Sequence, residues 1–114
     1  MTSKFYRGAL ILAALGAFVS VPMLLNAQPS PAGNIREAIQ HTKKAVDHGK
    51  QGHAAEFVTH AETSLVYAKM GGKGSHLDEA KKHLKEAIEQ GKASHADVGT
   101  EHAEAAIQQL SEVK

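Results

Sequence analysis

Cysteine is absent from this 114-residue chain. That excludes disulfide staples, thiolate metal sites, iron–sulfur clusters and covalently attached c-type haem. Methionine is scarce: beyond the N-terminal 27 residues only Met70 remains, so a thioether site for Cu(I) has no ligands. Aromatic residues make up 4% of the chain, and past that segment they are Phe57 and Tyr67. Two rings are too few to line a haem pocket between helices. Strand-like alternation is missing throughout. Also missing are a Ser/His/Asp or Cys/His constellation, a Gly-rich phosphate loop and the Glu-x-x-His pairs of a carboxylate-bridged dinuclear bundle. Catalysis is therefore the least favoured function, and the chain is expected not to be an enzyme.

Charge of one sign is lacking as well. The formal net charge is +1, but Lys4 and Arg7 fall in the N-terminal segment, and the rest has 11 Lys/Arg against 12 Asp/Glu. Nothing is basic enough to suggest nucleic acid. The interspersed lysines and acids read as solvated helix faces.

The N-terminal segment reads as a secretory signal over residues 1–27. Lys4 and Arg7 give a basic start, Gly8 to Leu25 an apolar run, and Asn26-Ala27 a small residue before Gln28. The alternative is an uncleaved anchor. A Pro-rich linker follows at 28–33, and residues 34–114 form one domain. The implied localisation is periplasmic, with no membrane association once the signal is removed.

The domain reads as helical throughout. Asn34 is a plausible N-cap for a first helix running to about His48, where Gly49 stops it. Its apolar positions Ile35, Ala38, Ile39, Thr42, Ala45 and Val46 mark one face. A second helix spans about His53 to Lys69, burying Phe57, Val58, Ala61, Leu65 and Ala68. The Gly71-Gly72-Lys73-Gly74 joint leads to a third helix capped by Ser75 and ending at Gly91. Ser94 caps a fourth, which offers Gly99, Ala103, Ala106, Ile107 and Leu110.

Residues 35–68 shifted by 42 fall on 77–110 with 12 identities in 34 positions and no gap. The economical fold is all-α: an up-down antiparallel four-helix bundle made from a duplicated helical hairpin, with hairpins at about 34–69 and 75–113. Forty-two residues are six heptads, so the apolar register carries across the copy.

What the chain does have is eight histidines, all beyond residue 27. At about 100° per residue, every one lies on the same flank of its helix's apolar stripe, a g-like heptad position. His41 and His60 are equidistant from the Gly49–Gly52 break, as are His48 and His53. His83 and His102 are equidistant from the Gly91–Ser94 turn. In antiparallel hairpins these pairs stand level. His95 falls level with Gln90, and His76 with Gln109. Histidines seven apart on one helix are about 10 Å apart along the axis, too far to share an ion held at about 2 Å. Ligands must therefore come from neighbouring helices, along a seam that lies either within each hairpin or between hairpins. His-x-x-Glu-x-x-x-His segments add Glu56, beside His53 and His60, and Glu79, beside His76 and His83. Imidazole with some carboxylate suits Cu(II), Ni(II) and Zn(II), and affinity generally rises toward Cu(II).

The segments HTKKAVDHGKQGH, HAETSLVYAK, HLKEAIEQGKASH and EHAEAAIQQL resemble the small periplasmic metal-binding protein (SmbP-like) family over about Ile35 to Leu110. Tyr67, Gln90 and Gln109 stand where the repeat could carry histidine. The resemblance implies a four-helix bundle, binding of several divalent ions with a preference for copper, and a role in metal buffering or tolerance. The expected function is sequestration of divalent metal, Cu(II) first and Ni(II) or Zn(II) second, by a monomer. The expected ligands are His41, His48, His53, His60, His83 and His102, then His76, His95, Glu56 and Glu79. The alternative is a helical-bundle interaction module with incidental histidines, which predicts an exposed apolar stripe.

Overall fold

A computed structural model describes residues 30–114; the expected signal segment lies outside them. Four helices follow in order: α1 Pro31–Lys50, α2 Ala54–Lys69, α3 Ser75–Lys92 and α4 Ala96–Ser111. Helix α1 pairs with α2 and α3 with α4. The two hairpins then pack through α1 on α4 and α2 on α3. The described residues contain no strand.

Helix α1 begins earlier than Asn34. Ser30 is the N-cap, its hydroxyl accepting from Gly33 N–H at 3.0 Å, and Pro31 takes the first helical position. Proline suits that position because its missing N–H has no helical partner there anyway. Asn34 is instead buried inside the first turn and donates through Nδ2 to the Met70 carbonyl at 2.9 Å. It ties the start of α1 to the end of α2. At α3 the cap is Gly74, with Ser75 already helical.

The glycines expected to stop helices do something else. Both α1 and α3 run one residue past Gly49 and Gly91, which are buried. A Cβ on Gly49 would lie 2.0 Å from Thr100 Oγ1, and one on Gly91 would lie 2.7 Å from Val58 Cγ2. Val58 and Thr100 occupy the same repeat position, so the two glycines admit equivalent close approaches between hairpins. Phe57, fully buried, fills the space between them. Its counterpart across the repeat is Gly99, where a Cβ would stand 2.8 Å from the Phe57 ring. Two phenylalanines would collide here, and two glycines would leave a void.

Each hairpin closes by the same helix-ending turn. His53 N–H bonds the His48 carbonyl at 2.9 Å and Gly52 N–H bonds that of Gly49 at 3.1 Å; Gly52 has φ +78°. His95 N–H bonds the Gln90 carbonyl at 2.8 Å and Ser94 N–H that of Gly91 at 3.0 Å; Ser94 has φ +66°. This is the Schellman pattern, whose left-handed residue is normally glycine. Ser94 therefore turns the chain rather than capping α4, and His95 is the N-cap residue.

The core is two apolar clusters. Phe57, Ala45, Ala61, Ala87 and Ala103 sit near the turns, and Leu77, Leu84, Leu110 and Ala38 toward the other end, with Leu65 touching both. Between them lies a buried polar contact. Thr42 and Ser64 hydroxyls meet at 2.5 Å, and each lies within hydrogen-bond distance of the Ala38 carbonyl, at 2.7 and 2.8 Å. One donates to that carbonyl, and the other to its neighbouring hydroxyl or to the same carbonyl. At the same positions the second hairpin carries Leu84 and Ala106. Lys50–Glu104 (3.4 Å) and Lys92–Glu62 (3.2 Å) link the hairpins at equivalent positions. Exposed pairs of this kind add little stability.

Two stability changes of opposite sign follow. Ser94→Gly relieves an unfavourable left-handed residue and should raise stability by about 0.5–1 kcal/mol. Gly99→Ala, although helix-favouring, forces the Phe57 ring against Gly49 and Gly91 and should cost about 1–3 kcal/mol. Thermal melts followed by circular dichroism measure both.

Candidate metal centre

The turn sets the histidine geometry. Because the His53 amide is bonded to the His48 carbonyl, the two rings come together, with centroids 5.8 Å apart. One helical repeat further on, His41 and His60 approach to 5.7 Å between centroids, and their Nδ1 atoms to 3.5 Å. On the second hairpin His83 and His102 stand 5.8 Å apart. All three level pairs expected from the sequence are brought together, and the seam lies within each hairpin.

The first seam holds one contact that level pairing does not anticipate. His48 and His60 stack at 5.3 Å with planes 10° apart, closer than either level pair. Tyr67 stacks on the far side of His41 at 5.7 Å. The order along the seam is His53, His48, His60, His41, Tyr67, a continuous ladder. Helix rise makes His41 and His48 unable to meet directly, but His60 reaches both from the opposite helix.

His41, His48, His60, His83 and His102 are half-buried, whereas His53, His76 and His95 are exposed. His76 Nδ1 and His95 Nδ1 meet glutamine oxygens, Gln109 at 2.8 Å and Gln90 at 3.2 Å. These are the level partners that the register assigns them. Glu56 groups with His48 and His53, one donor atom of each within 4.8 Å of the others. It does not group with His60. Glu79 is exposed and belongs to no three-residue ligand group among the described residues.

The residue missed by sequence reasoning is Glu86. Its Oε1 lies 3.4 Å from His83 Nδ1 and 3.2 Å from His102 Nδ1, completing a half-buried group of two imidazoles and a carboxylate. A signal was present. Glu86 follows His83 at three residues, as Glu56 follows His53 and Glu79 follows His76. It escaped because Gln90 stands where the next histidine of the pattern belongs. Glu37, four residues before His41, also approaches its Nε2, at 3.9 Å.

Two features suit these groups to a cation. Two nitrogens bound at about 2.05 Å to one tetrahedral ion stand about 3.3 Å apart, close to the His41–His60 separation and to both Glu86 distances. His48 Nδ1 is buried without a hydrogen-bond partner, and buried His83 Nδ1 has the Glu86 carboxylate at 3.4 Å but outside hydrogen-bond geometry. An unpartnered buried nitrogen is costly unless something else occupies its lone pair.

The family profile of the small metal-binding proteins matches residues 6–113. The chain belongs to that family. No curated protein matches it. The His/Glu groups on the two seams could hold a metal ion. The glutamines facing His76 and His95 mark where the seams of this member end.

His60 is held below its ordinary imidazole range, chiefly by burial and then by positive charge on His48, His41 and Lys44. It therefore stays neutral, with a lone pair available, to a lower pH than a free histidine. Between the lowered value and 6.5 the unfolded chain binds more protons than the folded one. The metal-free fold should have its full stability above that range and lose some as pH falls through the lowered value. Denaturant midpoints taken in chelator across this range should slope accordingly, and His60→Gln should flatten the slope.

Proposed function

We propose that this chain sequesters divalent transition metals, Cu(II) in preference to Ni(II) or Zn(II), at imidazole sites on the two intra-hairpin seams. Buffering or tolerance in the periplasm is the role this serves. It acts without catalysis and as a monomer. The observation that carries the reading is the meeting of level histidines from adjacent helices, with His48 Nδ1 buried and unpartnered. Nitrogen-rich sites with one carboxylate follow the general rise in affinity toward Cu(II). The sites are shallow and lie on helix flanks, without the dry cavity that metal catalysis uses.

The periplasmic part of the proposal rests on the basic start, apolar run and small residue of segment 1–27. No helix of the described residues is long and apolar enough to cross a membrane. The interaction-module alternative requires an exposed apolar stripe. The main stripes of all four helices are instead turned into the two core clusters.

Isothermal titration with Cu(II) tests the proposal. At about pH 7.5 at least two sites tighter than micromolar are expected, and at about pH 5.5 both should weaken sharply as imidazoles protonate. The double variant His41→Ala/His60→Ala should lose about one site and keep its helical dichroism. Flat heats at both pH values would sink the metal reading, and loss of helicity in the variant would make those histidines structural.

A further inference from the structure

Superposing the repeat on itself exposes one exchange of charge at the seams. Glu86, which faces both His83 and His102, corresponds to Lys44 in the first hairpin. Building on the metal-binding reading, we propose that the two seams are unequal: the His83–Glu86–His102 triad fills first with a divalent ion. The first-hairpin ladder fills second.

Ligand number and charge point the same way. The triad offers two nitrogens and a carboxylate oxygen from two helices, all half-buried, with Glu86 Oε1 at 3.4 and 3.2 Å from the two Nδ1 atoms. An ion entering there gains a carboxylate ligand beside two imidazoles and finds opposite charge already in position. At the corresponding place the first hairpin has an ammonium group, which repels a cation. The ladder's own three-residue group, His48–His53–Glu56, has two exposed members whose ordering on binding costs side-chain entropy.

Sharing of ligands separates the seams further. In the ladder His48 neighbours both His53 and His60, and His60 neighbours both His48 and His41. An ion between His48 and His60 therefore removes a ligand from each flanking pair, so the possible frames compete. The triad has no such competitor. Beyond it in both directions stand His76–Gln109 and Gln90–His95, where a neutral amide faces a single imidazole. The second seam thus has one isolated site, and the first has overlapping ones.

Zn(II) is the appropriate probe because it is diamagnetic and leaves histidine ring signals visible by nuclear magnetic resonance. Added to the full chain in steps up to one equivalent, it should move the His83 and His102 rings and leave His41, His48, His53 and His60 unchanged until more is added. Loss of an outer-shell partner alone lowers metal affinity roughly 10–100-fold. Glu86→Lys should weaken the first step by at least that factor, with Glu86→Gln acting in the same direction at unchanged size. Lys44→Glu should bring first-hairpin histidines into the first step. First-hairpin rings responding before or together with His83 and His102 would overturn the proposal. So would an unchanged first step in both Glu86 variants with helical dichroism preserved. Absence of any response to Zn(II) would also overturn it, while the Cu(II) titration decides separately whether the chain binds metal at all.

Discussion

Two backbone hydrogen bonds at each hairpin turn set the register of everything on this molecule. The His53 amide on the His48 carbonyl, with Gly52 on Gly49, leaves the antiparallel helices no freedom to slide. A one-residue slip would rotate the flank positions of one helix by about 100° and separate every imidazole pair. The second turn repeats the bonds through His95 and Ser94, accepting a left-handed serine to do so. Both histidines that begin α2 and α4 are N-cap residues without side-chain capping bonds. Their rings are directed at neighbouring side chains instead, His53 at His48 and His95 at Gln90.

Register alone does not bring rings within ligand distance; the helices must also be close. The core supplies this with small residues. Alanines and the buried glycines 49, 91 and 99 let backbones approach, and Phe57 is the one large aromatic that occupies the space they leave. The duplication is thus symmetric in its framework and asymmetric at its centre. Lys50–Glu104 and Lys92–Glu62 obey the symmetry, while Phe57/Gly99, Thr42/Leu84 and Ser64/Ala106 break it by exchanging large for small or polar for apolar. Two identical hairpins would not pack this way. The asymmetry that fits them together in the core reappears on the seams as Lys44 against Glu86.

Much of the site was legible because it depends on a mirror operation about each turn. Equal distance from the Gly49–Gly52 break predicts His41 beside His60 and His48 beside His53. The same operation predicts the glutamine partners of His76 and His95, and the rings meet as the arithmetic requires. The operation treats opposed residues as level rungs, however. In the bundle the rungs are staggered, so His60 lies nearer His48 than His41 by ring centroid. Glu86 lies on the outer side of His83 and reaches back across the seam to His102, a contact made by side-chain length and rotamer rather than by helical phase. Local glycine rules also misled at Gly49 and Gly91, because a glycine that ends a helix and one that admits a neighbouring helix look alike in one dimension.

The sequence by itself determined the helices, their order, the duplication and the level of each histidine, since these follow from periodicity and chain direction. It also carried enough of the repeat to signal a metal-binding family, to which the chain belongs. Tertiary structure decided which of two possible seams the histidines occupy, that the first is a continuous ladder, and that a single carboxylate joins the second. Those outcomes depend on which helix neighbours which and on how far a side chain extends across the gap. Neither is fixed until four helices have packed, because only close approach of separate segments brings their donor atoms within the few ångströms one ion spans.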